Sequence, residues 1–329
     1  MKSKDLLSVA QLSAAEVQHL LSSSQNMKRG RRKPKLPGKV LALLFEKPSL
    51  RTRVSFDVAM YQLGGHAIYL SQAEVGLGKR EAVSDVAKVL SRYVDIIAAR
   101  TFSHETVELL AQYATVPVIN ALSDLEHPCQ ALADLLTIEE KKGKLDGVNV
   151  AYVGDGNNVA HSLLLACSLV GANISLASPS GYQPNEAILS QARRFAAQSG
   201  SGVVCTQEPR SAVAGADVVY TDVWASMGQE AEAARRRADF AGYQVNAELM
   251  ALAKKDAIFM HPLPAHAGEE VAGGLLESPQ SVVYDQAENR LHLQKALLAE
   301  LLGMELGLRD EQTHSGHSGQ AQRGQVHPV

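Results

Sequence analysis

The chain is poor in several features that would announce a specialised function. It has three cysteines in 329 residues: Cys129, Cys167 and Cys205 lie far apart, show no C-x-x-C spacing and leave one unpaired. That pattern gives no basis for a disulfide framework and suits a reducing cytoplasm. Aromatic residues make up 5% with a single tryptophan, too few for a base-stacking surface. The net charge of −3 supplies no field that would draw nucleic acid or an anionic membrane. No apolar run approaches the roughly 18 residues of a membrane span. Lys2 and Lys4 lead into no long apolar core, so no secretory signal is expected. No internal repeat is visible.

What is present is ordinary globular material, 46% hydrophobic and 20% charged. The length is too great for one core and too small for three, so two domains are expected. A charged, glycine-bearing turn at 141–147 (KKGKLDG) marks the boundary, dividing the chain into 1–146 and 147–289. Beyond Gly303 the sequence turns polar, and 304–329 reads as an unstructured tail. Its His314, His317 and His327 are spaced too irregularly to suggest a metal tract.

The most informative stretch is 40–65, VLALLFEKPSLRTRVSFDVAMYQLGG. Residues 40–45 have the length and character of a buried strand. Pro48 ends it, and Phe56, Ala59, Met60 and Leu63 then recur at helical spacing until Gly64-Gly65 offers a left-handed cap. Ser49-Leu50-Arg51-Thr52-Arg53 occupies the strand-to-helix joint. A helix start has unpaired N–H groups and the positive end of a dipole, so it is a ready anion site. Two hydroxyls and two guanidiniums there suit a phosphate, since Arg grips phosphate oxygens in bidentate fashion. A capped helix with solvated arginines is the plainer alternative.

Similar alternation runs through the rest of the chain. Ser13 and Glu16 form a capping box that opens a short surface helix over 13–21, and the basic run 28–35 reads as a solvated connector. Strands are expected over 67–70, 95–99 and 116–119, then over 148–153, 173–177, 203–205, 217–221, 258–260 and 281–284. Helices fill the gaps, the last over 291–302. This predicts an α/β protein of two doubly wound parallel-sheet domains. Open α/β sheets bind ligands at the carboxyl ends of strands. The polar groups that follow strands are therefore candidates: Arg100-Thr101, His127 with Gln130, Asn157-Asn158, Asp222 to Gly228, and His261-Pro262-Leu263-Pro264. The prolines in the last of these fix the backbone and leave carbonyls able to grip an amide. Gly154-Asp155-Gly156 invites a dinucleotide reading. However, Val159 stands where the third glycine belongs and no acidic residue ends the next strand, so NAD is not expected.

Five motifs occur together and in order: Ser49 to Arg53, Arg100-Thr101, His127-Pro128-Cys129-Gln130-Ala131-Leu132-Ala133-Asp134, Asp222…Ser226-Met227-Gly228, and His261 to Pro264. With them the chain resembles the aspartate/ornithine carbamoyltransferase family, on its ornithine branch, as far as about Gly303. The resemblance implies that the first half binds carbamoyl phosphate and the second an amino acid, with a helix over 290–303 packing back on the first domain. It assigns carbamoyl phosphate to Ser49, Leu50, Arg51, Thr52, Arg100, His127, Gln130, Pro262, Leu263 and Arg290, with Arg51, Arg100 and His127 as the catalytic set. Ornithine falls to Asn158, Asp222, Ser226 and Met227. No metal or cofactor is implied. The expected product is citrulline, in arginine biosynthesis or degradation. The expected assembly is a trimer or a multiple of trimers in the cytoplasm, with no nucleic-acid or membrane partner.

Two departures from the family pattern bear on substrate choice. Leu50 replaces a threonine, leaving only its backbone N–H for phosphate. Pro262 replaces the cysteine of H-C-L-P and matches the aspartate branch. Aspartate would need an added cation, and Arg235-Arg236-Arg237 lacks the aspartate pattern R-x-Q-x-E-R, which favours ornithine. Aspartate or putrescine as the amine, and a non-catalytic binding module, are the competing readings.

Overall fold

The computed structural model describes residues 1–226 and 228–303. The tail at 304–329 and Met227 lie outside the described residues.

The first half is a four-stranded sheet with helical connections. After a 3₁₀ turn (Val9–Gln11) and α1 (Ala14–Lys28), the chain runs through β1 (Val40–Phe45), α2 (Leu50–Gln62), β2 (His66–Ser71), α3 (Gln72–Val75), α4 (Val83–Leu90), β3 (Ile96–Arg100), α5 (His104–Tyr113) and β4 (Val118–Leu122). The strands are all parallel in the order β2-β1-β3-β4. Period-two alternation sorts β1 between layers: Leu41, Leu43 and Phe45 enter one core and Ala42 and Leu44 the other.

Helix α6 (Pro128–Lys142) leads into the second half: β5 (Asn149–Val153), α7 (Asn158–Leu169), β6 (Asn173–Ala177), α8 (Glu186–Ser199), β7 (Val203–Thr206), α9 (Pro209–Val213), β8 (Val218–Tyr220), α10 (Ala233–Asp239), α11 (Ala247–Met250), β9 (Ile258–Met260) and α12 (Val283–Leu301). These strands are also all parallel, in the order β7-β6-β5-β8-β9. Both sheets thus have a point where consecutive connections leave in opposite directions, at β1 and at β5, which is where such sheets open a crevice.

Two elements differ from expectation. Helix α1 is neither short nor superficial; it buries Val17, Leu20, Leu21 and Met27 and packs on α6 and α12. The capping box that opens it does form, with Ser13 N–H donating to Glu16 at 2.9 Å. The strand expected over 281–284 is instead a single backbone bridge, Ser281 to Phe259, followed at once by α12, which starts eight residues before the expected 291. The early turns of α12 carry Gln286, Asn289 and Arg290, all buried and polar, so no apolar stripe marks them in the sequence. Further along, Leu293, Ala296 and Leu297 join a core that also holds residues of β1, α6, α7 and β5.

Candidate active site

Most candidate side chains sit on a turn just after a parallel strand or on the helix that the turn begins; Arg100 is the last residue of β3, and Arg290 lies within α12. Ser49 caps α2, its Oγ accepting the Thr52 N–H at 3.3 Å. Thr52 is buried, and its Oγ1 accepts from Arg290 Nη2 at 2.9 Å, which ties α12 to the first turn of α2. Arg51 lines the same cavity. Arg53 does not; its guanidinium lies 3.8 Å from the centre of the Tyr69 ring, so only one of the two arginines at the joint faces inward. Arg100 ends β3. His127 precedes α6, with Pro128 at the first helical position, where no N–H is needed. Its own N–H donates to Ser162 Oγ on α7 at 2.8 Å, and its Nδ1 is buried without a partner.

The second half faces this group. Asn157 caps α7 by accepting the Val159 and Ala160 N–H groups, and its Nδ2 donates to Asp222 Oδ2 at 2.8 Å. Asn158 Nδ2 donates to the Ser123 carbonyl at 2.6 Å, reaching across to the first half. Asp222 follows β8 and accepts the Val223 N–H at 2.8 Å. After β9, His261 Nδ1 accepts the Leu263 N–H at 2.9 Å and Nε2 donates to buried Glu270 at 3.1 Å. Leu263 is held at φ 58, a conformation that a residue with a Cβ seldom adopts.

One cavity of about 340 Å³ gathers these groups, a size that suits a small ligand. Its lining includes Ser49, Leu50, Arg51, Thr52, Arg100, His127, Gln130 and Arg290 from one side, and Asn158, Asp222, Ser226, Pro262 and Leu263 from the other. Of the candidates, only Met227 lies outside the described residues. Sequence reasoning missed Lys47 and, behind the wall, Tyr220 and Gln286, and it named Asp134 only as the end of the His127 motif, with no role. Asp134 follows Gln130 by four positions on α6, and that i, i+4 spacing was the available signal.

The electrostatics are lopsided. Burial, followed by the charges of Arg290 and Arg51, pushes Arg100 down to about 10. Burial also lowers Arg290. Burial, then Arg290 and Arg100, holds the His127 imidazole well below its ordinary value. Like charges crowded in this way are relieved by a bound anion. Across the cavity, burial raises Asp222, opposed by His261, the Asn157 bond and the Val223 N–H. Among the described lining residues Asp222 is the only acid. Such a site can hold a small dianion, aim donors at an adjoining carbonyl, and offer a carboxylate to a cation on the far side.

The comparisons with known proteins agree in both halves. Residues 4–140 match the carbamoyl-P binding domain of the aspartate/ornithine carbamoyltransferases, and residues 146–301 match the Asp/Orn binding domain of the same proteins. An ornithine carbamoyltransferase of Bacillus subtilis is 56% identical over 299 residues, covering 91% of this chain and 94% of its own. The anabolic ornithine carbamoyltransferase of Pyrococcus furiosus is 55% identical over 304 residues, covering 91% and 96%. Among solved structures, ornithine carbamoyltransferase from P. furiosus superposes with a TM-score of 0.88, covering 91% of this chain and 97% of that one at 55% identity. The enzyme from Gloeobacter violaceus gives 0.85 at 50% identity, covering 92% and 99%.

Proposed function

The chain belongs to the aspartate/ornithine carbamoyltransferase family, and from that premise we propose that it transfers the carbamoyl group of carbamoyl phosphate to the δ-amine of L-ornithine, giving L-citrulline and phosphate. The observation that carries the reading is the convergence of Arg51, Arg100, His127 and Arg290 on one cavity, with Asp222 opposite.

Ser49, Arg51 and Thr52, with the N–H groups at the start of α2, take the phosphate, including the N–H of Leu50. Arg100, His127 and Thr52 donate to the carbamoyl oxygen. Attack by the amine builds negative charge on that oxygen, and donors already in place stabilise it without reorganisation. Gln130 and the carbonyls around Pro262 and Leu263 accept from the carbamoyl NH₂, and Arg290, a donor only, reaches the oxygen side of the carbamoyl group from α12. Asp222 pairs with the ammonium of the amino-acid end, aided by Asn158, Ser226 and Met227. Holding both substrates in one crevice supplies orientation, a large part of the acceleration. The amine must lose a proton before it attacks, since an alkyl ammonium titrates near 10.4.

The fate of the second-half arginines favours ornithine over aspartate despite Pro262. Arg236 is committed to Asp155 and Glu232, Arg237 to Glu269 and Arg235 to Asp239. Among the described residues of 147–289 no lysine or arginine lines the cavity, so the side-chain carboxylate of aspartate would find no cation from that domain. We further propose a trimer, or trimers assembled further, in the cytoplasm, acting in arginine metabolism. The test is direct: purified protein is given carbamoyl phosphate with ornithine, aspartate or putrescine, and the ureido product is identified. Citrulline alone is expected; no product from any amine would end the enzymatic reading.

A further inference from the structure

Behind the cavity wall lies a carboxylate that touches no proposed substrate atom. Asp134 is fully buried and accepts from three elements. Gln130 Nε2, one turn back on α6, donates to Oδ1 at 2.9 Å; Gln286 Nε2 on α12 donates to the same oxygen at 2.8 Å; the Tyr220 hydroxyl at the end of β8 donates to Oδ2 at 2.9 Å. An ionised carboxylate offers acceptors only, so each amide facing it must present its NH₂. For Gln286 the opposite face agrees, because its Oε1 accepts the His261 N–H at 2.9 Å. For Gln130 the opposite atom, Oε1, is buried without a protein partner, in a residue that lines the cavity. An asparagine at position 134 offers one acceptor oxygen where the carboxylate offers two, so Gln130, Gln286 and Tyr220 compete for it and the Gln130 amide is no longer held to one face.

We infer that Asp134 is a positioning residue whose carboxylate turns the Gln130 carbonyl toward the cavity, so that the site selects an acyl phosphate bearing N–H donors over one bearing a methyl group. The inference rests on the carbamoyl phosphate reading above. A neutral partner at position 134 removes the selection without disturbing the phosphate cradle at Ser49 to Thr52. A merely structural carboxylate, which only pins α6 to β8 and α12, would weaken both kinds of ligand alike.

Two probes separate these cases. Phosphonoacetamide keeps the carbamoyl NH₂, and 2-oxopropylphosphonate puts a methyl in its place; both carry the same phosphonate. Calorimetric titration of the wild-type protein should show about tenfold tighter binding of the amide, the scale of one buried hydrogen bond. Asp134→Asn should bring the ratio to within about twofold of unity while leaving the methyl probe's Kd unchanged. Tyr220→Phe, which removes a cross-link but keeps the carboxylate, should retain the preference. Should Asp134→Asn fail to fold, the wild-type ratio measured between pH 7.5 and 5 decides. Burial raises Asp134 to about 6, against the bonds from Gln130, Gln286 and Tyr220 and the charge of Arg290 on α12. Tyr220 and Cys167 on α7, the other titratable groups beside it, are pushed up and away from that range. The ratio should therefore fall below about pH 6, phosphonate protonation cancelling between the probes. An unchanged preference in Asp134→Asn, an equal loss for both probes, or a ratio flat with pH would overturn the inference. Failure of the wild-type protein to bind either probe would instead strike the carbamoyl phosphate reading.

Discussion

Arg51 and Arg53 stand two positions apart at the start of α2, yet only Arg51 faces the cavity. The sequence made the motif legible because a helix start follows a strand there. It could not divide the two arginines, since the ring that takes Arg53 comes from β2. Arg51→Ala should lower kcat/KM for carbamoyl phosphate by roughly 10²–10³, the usual loss for one electrostatic contact of this kind. Thermal unfolding should be unchanged, since Arg51 is only partly buried. His127 supports a second expectation. Burial and two arginines depress its pKa, so it acts as a neutral imidazole, and ¹⁵N NMR should find it unprotonated at pH 6.5, where an ordinary histidine is half charged. Below about 6.5 the unfolded chain takes up a proton that the folded site refuses, so His127 makes the fold less stable as pH falls from that value toward its depressed one. The links from Asp134 to Tyr220 and Gln286 were illegible for a different reason: these partners lie on β8 and α12, distant in sequence, and only Gln130 stands at a readable spacing.

Among the elements, strands and their order of appearance were readable from apolar runs, and helix starts from caps such as Ser13 and Ser49. Helix α12 was read only in part, because its first turns bury polar residues against both halves instead of apolar ones. The segment between β8 and α10 depends on a similar buried polar contact. Arg236 on α10 donates to Asp155 Oδ2 and to the Trp224 carbonyl, both at 2.8 Å, and so holds the loop that carries Ser226 near the end of β5. Burial outweighs Arg236 and raises Asp155 to about 6, so the folded chain takes up this proton before the unfolded one does. Asp155 therefore weighs against folding at neutral pH, and the burden lifts as pH falls from about 6 toward about 4. Arg236→Met leaves that carboxylate buried and unpaired. Urea denaturation should show a loss of roughly 3 kcal/mol at pH 7.5 and a clearly smaller one at pH 5, and KM for ornithine should rise more than KM for carbamoyl phosphate.

The whole molecule shows one asymmetry that its sequence composition hid. Among the described residues, large hydrophobic side chains left in solvent concentrate in the first half: Val54 and Tyr61 on α2, Ile68 on β2, Val89 on α4, and Tyr93, Phe102 and Tyr113 beyond it; the second half shows Val204 and Tyr284. Hydropathy alone could not separate these from core positions, because Tyr61 and Tyr93 sit in ordinary amphipathic surroundings and only the packed sheet reveals that nothing covers them. Val54 and Tyr61 lie on the α2 side of the first sheet and Val89, Tyr93 and Tyr113 on the α4 and α5 side, so that half offers apolar side chains on two faces, as a ring contact between unlike surfaces needs. The proposed trimer is therefore expected to form through the carbamoyl phosphate half. Leu50, 75% exposed, lines the cavity; outside that lining Tyr61 and Tyr93, 78% and 74% exposed, are the most open of the first-half side chains. A buried, unpaired carboxylate at such a position opposes association strongly. Sedimentation should find the wild-type protein at three chain masses or a multiple of three, and Tyr61→Glu combined with Tyr93→Glu should shift it toward single chains with the circular dichroism of each chain retained. A double variant that remains fully assembled would place the contact elsewhere and leave these tyrosines as plain surface, and a wild-type protein that sediments as a single chain would end the trimer proposal.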